Sequence, residues 1–198
     1  MKLSNIIMII GAISISGLFL FPLWSITLEA PQYPTPLSMD IYINKFEDYR
    51  PHDIKNINLM NHYVGMDPIP ETIPEFTIFP IVIGVMSVVG IAIGIFKSRK
   101  WFLGWFITMT LLAIAGLIDF YIWEYEYGHN LDPHAIMKFT DPDGNPMGFQ
   151  PPFFGTEQIL NFVAHSYPGI GAFLLGAGLL LSLIAYIVAG REKSNIKV

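Results

Sequence analysis

The chain has 198 residues, 53% of them hydrophobic and only 14% charged; a soluble domain carries nearer one quarter charged residues, so the composition points to a membrane protein. A net charge of -5 with no basic stripe excludes a nucleic-acid partner, because phosphate binding needs clustered Lys and Arg. Cysteine is absent, which removes thiolate chemistry, disulfides and cysteine-ligated zinc or iron–sulfur centres and leaves His, Met and carboxylates as the available metal ligands.

The first apolar run, residues 5–24, carries no charge and is long enough to cross a hydrocarbon core of about 30 Å. Lys2 precedes it as in a signal peptide, but the run exceeds a signal's usual core and no A-x-A-like cleavage site follows Trp24. An uncleaved first span is expected. From Ser25 to Glu75 the chain is polar, and Pro31, Pro34, Pro36, Pro51, Pro68, Pro70 and Pro74 forbid long helices. Leu37 to Phe46 and Asp53 to Met66 are the pieces free to fold locally, and the Ile, Leu, Tyr and Phe content argues against disorder. Residues 76–96 and 101–123 form two more apolar runs joined by the basic turn Lys97-Ser98-Arg99-Lys100, which reads as a helical hairpin. A fourth run, residues 170–190, ends at Arg191.

The fold expected is an all-α membrane protein: four transmembrane helices, with loops 25–75 and 124–169 packed together as a small extramembrane cap. Lys2, the basic turn and the Arg191–Lys197 tail fall on one side, so the positive-inside rule makes both termini cytoplasmic. For a bacterial chain this means a multi-pass protein of the inner membrane with two periplasmic loops carrying all five histidines. Gly84, Gly90 and Gly94, and likewise Gly171, Gly176 and Gly178, suit close helix contacts in lipid. Trp24, Trp101, Trp105, Trp123 and Tyr186 look like interfacial anchors.

Candidate chemistry lies in the loops. If the run Asn56 to Met66 is helical throughout, His62 and Met66 share a face one turn apart, the spacing of a ligand pair. Met60, His129, His134, Met137, Met147 and His165 add soft and borderline ligands on the same side, and such donors suit copper. The same methionines serve equally well as filling for an irregular core. Asp119, near the end of the third run, is costly in apolar surroundings and a functional candidate by default; snorkelling to the interface is the alternative. Asp141-Pro142-Asp143-Gly144-Asn145-Pro146 begins like a calcium loop, but Pro152 stands where the bidentate glutamate belongs, so a turn is expected. Thr156 is placed to cap a short helix whose apolar face is Ile159, Leu160 and Phe162. Phe149, Phe153, Phe154 and Phe162 offer an aromatic docking surface. No nucleophile elbow, P-loop, dinucleotide fingerprint or His-Glu-x-x-His is present, which argues against an enzyme.

Two strings resemble a known family. Asn61-His62-Tyr63-x-Gly65-Met66 after the first span, with Gln150-Pro151-Pro152-x-x-Gly155 and Leu160-Asn161-Phe162 before the last, resembles the NosB-like integral-membrane proteins of clade II nitrous oxide reductase gene clusters. Phe21-Pro22-Leu23-Trp24 and Glu29-Ala30-Pro31-Gln32-Tyr33-Pro34 extend the likeness. The resemblance implies an accessory role, supporting a periplasmic copper enzyme by maturation, tethering or electron supply, and carries over no catalytic residues. A second reading is a redox or copper-transfer component. In it, Asp119, Glu124 and nearby aromatics border a quinol site, or His62 and Met66 hold Cu(I).

Overall fold

The computed structural model describes residues 1–96, 98–140 and 144–194. Helix α1 spans Leu3–Ile15 and is prolonged by a 3-10 turn, Ser16–Phe19. Strands β1 (Trp24–Glu29), β2 (Leu37–Ile41) and β3 (Phe46–Asp48) follow, then α2 (Asp53–Val64), α3 (Glu75–Phe96) and α4 (Arg99–His129). The chain closes with β4 (Gly155–Ile159), β5 (Phe162–Pro168) and α5 (Ile170–Ser194).

The fold is therefore mixed α/β, and the all-α expectation is overturned by one antiparallel sheet of order β3-β2-β1-β5-β4. The cause is alternation. Trp24, Ile26, Leu37, Met39 and Ile41 are buried, while Ser25, Thr27, Ser38 and Asp40 between them are half-exposed, the period-two pattern of a strand with one covered face. The polar face is tied across strands by Thr27 with Ser38 (2.8 Å) and by Ser25 donating to Asp40. At the centre β1 pairs with β5, with Thr27 opposite His165 and Glu29 opposite Val163. Both sequence loops thus contribute to a single sheet.

Among the described residues, three helices, α3, α4 and α5, are long and apolar enough to cross a membrane. The first apolar segment is shorter than expected: its helix stops at Phe19 and Trp24 already opens β1. Helix α1 packs between α5 and α3, with Met8, Ala12 and Ile15 fully buried. Small residues permit this. A Cβ on Gly178 would stand 2.7 Å from Ile15 and 2.8 Å from the Gly11 carbonyl oxygen, and Gly90 and Gly94 meet Ala12 and Ile9 as closely. Gly176 instead faces open space, so it is no bundle contact.

Two of the expected interfacial anchors are core residues. The Trp105 indole is buried and donates to the Met86 carbonyl (2.9 Å). Trp24 is buried in the cap and donates to Ser166 Oγ (2.7 Å). Trp101 remains exposed.

With 31 residues, α4 is about 46 Å long, well beyond a hydrocarbon core of about 30 Å. Phe46 of β3 packs on both Phe76, at the start of α3, and Trp123 of α4, with ring centroids 4.8 and 5.6 Å away. Trp123 therefore sits level with the first turn of α3. The last turns of α4 pack against α2 and the segment before β4: Tyr127 receives the Asn61 amide, and the Gly128 carbonyl accepts the Phe149 amide.

The helix expected after Thr156 is a β-hairpin. Ile159 pairs with Phe162 around a two-residue turn in which Leu160 takes φ 57°. Thr156 turns to the polar face of the sheet and meets His165 and Tyr167. Of the suspected calcium-type turn, Asp141, Pro142 and Asp143 lie outside the described residues, as does Lys97 of the basic turn. Thr140 bridges to Pro146 around that segment.

Candidate functional site

Helix α2 positions one wall of the site. Asp53 at its start accepts the Ser38 and Arg50 amides (3.0 and 3.1 Å), which pins the helix to β2. Its end is set by Gly65 at φ 86°, the left-handed residue that commonly terminates a helix. Beyond it the Gly65 carbonyl accepts the Asp132 amide and the Tyr63 carbonyl accepts the Met137 amide (2.8 and 2.9 Å). These bonds hold the segment after α4 across the end of α2.

The inward face of α2 carries Asn58 and Asn61. Asn58 accepts the Ile69 amide (2.8 Å), and Asn61 donates to the Tyr127 hydroxyl (2.8 Å). That hydroxyl in turn donates to the Asp67 carbonyl. Tyr127 stacks on Trp123 with centroids 5.0 Å apart, and its hydroxyl joins α2, the α2–α3 connection and the end of α4 through one chain of hydrogen bonds.

Between this wall and the apolar face of the sheet lies a cavity of about 160 Å³. Ile26, Ile57, Trp123, Phe149, Phe162 and Ala164 supply apolar walls, and Met39, Met60, Met66 and Met137 reach it from four different segments. The Gln32 amide approaches the Met60 sulfur (3.3 Å). Glu124 also lines the cavity, at 1% exposure. Both its carboxylate oxygens are buried without a hydrogen-bond partner, the sole such side chain among the described residues. Burial of an acid in apolar surroundings disfavours the charged form, and it pushes the Glu124 carboxyl up to about 8. Burial likewise raises Tyr127 above its ordinary value. At neutral pH the cavity thus presents a protonated acid, which can donate to a ligand oxygen or give up its proton to a cation that takes its place.

The structure separates most of the residues expected to act together. His62 is exposed while Met66 is buried. The two do not share a helical face, because α2 ends at Val64 and Gly65 turns Met66 inward. His129 stacks on Tyr125 (4.1 Å) and its Nδ1 meets the Tyr125 carbonyl (2.9 Å). It borders a shallow recess shared with Tyr121, Gln150 and Glu157. His134 is exposed and lies 3.3 Å from Asp132. His165 sits on the polar sheet face between Thr156 (2.8 Å) and Glu29 (3.3 Å). Among the described residues no three His, Asp or Glu side chains converge on a metal position. Asp119 is exposed on α4, within electrostatic reach of Glu75, and lies outside the cavity.

The four phenylalanines do not form one surface either. Phe149 and Phe162 line the cavity, and Phe153 packs into a cluster with Trp24, Phe120 and Tyr121. Phe154 alone of the four is well exposed (64%), edge-on to the exposed Tyr167.

No family model, curated protein or solved structure matches the chain.

Sequence reasoning placed Met60, Met66 and Met137 together with the histidines as soft ligands and set Glu124 beside a quinol site, but it did not join Glu124 to the methionines and did not reach Met39 and Tyr127. A legible cue was present in part: Glu124 and Tyr127 are three residues apart just beyond an apolar run, which places them on one helical face.

Proposed function

We propose that the protein is a non-enzymatic integral-membrane accessory of the bacterial inner membrane. In this reading both termini are cytoplasmic and the cap is periplasmic, and the protein supports a periplasmic copper enzyme of the nitrous oxide reductase type. Clustering of Lys and Arg at the end opposite the cap supports the orientation, and the strings Asn61 to Met66 and Gln150 to Phe162 support the partner class.

The observation that carries the reading is the methionine-lined cavity beside the buried Glu124. A protein that only tethered a partner would have no use for an unpaired buried acid, whose presence costs stability. Ligand handling during maturation or electron supply therefore fits better than tethering alone. The second reading, a component that binds quinol or Cu(I) itself, is favoured by the same chamber.

Deletion in cells that make the copper enzyme, followed by its purification, tests the accessory role. Enzyme depleted in copper or activity, restored by the plasmid-borne gene, is the expected result. Fully loaded and active enzyme from deleted cells, with no periplasmic partner recovered on the tagged protein, would overturn it. Reporter fusions at each terminus check the orientation.

A further inference from the structure

We propose that the cavity beside Glu124 is a site for one soft monovalent cation, copper(I), held by methionine thioethers with the Glu124 carboxylate as its counter-charge. This rests on the reading above, that the cap handles a ligand for a copper enzyme, and adds the place and the chemistry.

The donor set is the first argument. Four of the nine methionines line this one chamber: Met39 from β2, Met60 from α2, Met66 from the connection after α2 and Met137 from the connection after α4. Helical or strand periodicity cannot bring these positions together; only the tertiary fold does. Thioether sulfur is a soft, neutral donor that suits Cu(I) and serves magnesium, calcium or manganese poorly.

Charge is the second. A buried carboxylate with no partner is costly and is tolerated where a cation pairs with it. One monocation with one carboxylate leaves the chamber neutral. A divalent ion would leave a net charge, since no second acid lines the cavity. Of the other polar groups on the wall, the Asn61 amide nitrogen donates to the Tyr127 hydroxyl (2.8 Å) and the Gln32 amide nitrogen approaches the Met60 sulfur (3.3 Å). Glu124 alone of the described side chains has buried oxygens without a partner.

The test uses the full-length protein in detergent, with its methionine methyls labelled with carbon-13. Silver(I) serves as a redox-silent substitute for copper(I), and copper(I) itself is titrated against bicinchoninate under a reductant. One ion per chain is expected, with methyl shifts at Met39, Met60, Met66 and Met137, while the bundle residues Met8, Met86 and Met109 stay fixed and report an intact fold. Glu124→Gln and the Met60→Leu/Met66→Leu pair each weaken binding by roughly tenfold or more, and His62→Ala leaves it unchanged.

Silver that moves none of the four methyls overturns the proposal, as does binding that survives the leucine pair and is lost with His62. So does a short-chain quinol that moves the four methyls where silver does not, since the chamber would then belong to an apolar molecule. All of these are read on the isolated protein. A failure here leaves the deletion experiment free to succeed, and the reverse also holds.

Discussion

Replacing Glu124 with Gln should stabilise the protein by an amount that grows as pH rises above about 5 and levels off above about 8. The carboxyl is 1% exposed with neither oxygen partnered, and burial lifts it from 4.5 to about 8. The folded state therefore keeps a proton that the unfolded chain has released throughout that window. Stability contributed by the neutral acid is complete below about pH 4.5 and falls as pH rises through 8, because the native state binds more protons than the unfolded one. At about 1.4 kcal/mol for each tenfold change in proton affinity, the full loss is at most roughly 5 kcal/mol, and roughly 3 kcal/mol at pH 7. Water entering the chamber would lower both figures. Gln fills nearly the same volume and does not titrate, so the variant escapes the loss. Apparent Tm of both proteins in detergent, scanned from pH 4.5 to 9, gives the readout. The curves should meet at the acid end and diverge by several degrees above pH 7. Other titrating groups are common to both and cancel. A Tm difference independent of pH, or a variant that loses stability most at high pH, would show that Glu124 is not held as a buried neutral acid.

Three further outcomes follow from the packing. Tyr127→Phe leaves the Asn61 amide and the Asp67 carbonyl without their shared hydroxyl, which should cost about 1–3 kcal/mol in unfolding experiments. Leu160→Gly should raise stability by about 1 kcal/mol, since Leu160 sits at φ 57°, a conformation that costs a side-chain-bearing residue about that much; equilibrium urea unfolding of the cap signal tests it. Gly178→Leu places a Cβ 2.7 Å from Ile15 and 2.8 Å from the Gly11 carbonyl, so α1 and α5 must part, and loss of a monodisperse peak in size-exclusion chromatography is expected.

Three of the four long apolar helices expected were legible, because an apolar run as long as a bilayer is thick has no place to be buried in a small water-soluble domain, whereas the first run ends as a helix at Phe19. The sheet was legible only in part. Trp24-Ser25-Ile26-Thr27-Leu28 and Leu37-Ser38-Met39-Asp40-Ile41 both alternate cleanly, but Trp24 abuts the first apolar run and reads as its end, and the prolines just before Leu37 suggest a loop. The β4–β5 hairpin turns through Leu160-Asn161, without the Gly that marks most such turns, so its apolar residues mimic a helix face. The pairing of β1 with β5 joins distant segments and leaves no local trace. At the site, the Gly65 stop signal was readable and already separated His62 from Met66. That four methionines and Glu124 line one cavity is set by sheet register and helix placement together, which no spacing along the chain encodes.

The β1–β5 pairing also dictates a sequence of events during biosynthesis. β1 can find β2 as soon as the first hairpin emerges, yet its other edge must wait for β5, which is made roughly 130 residues later, or on the order of ten seconds at typical translation rates. Until then one flank of the central strand is unpaired, an edge open to association with other chains. Helices α3 and α4, both long and apolar enough to cross a membrane, are made in that interval, before the sheet can close. Completion of the sheet thereby waits on their packing, and a chain in which they are misplaced would keep an open strand edge that quality-control proteases or chaperones can recognise.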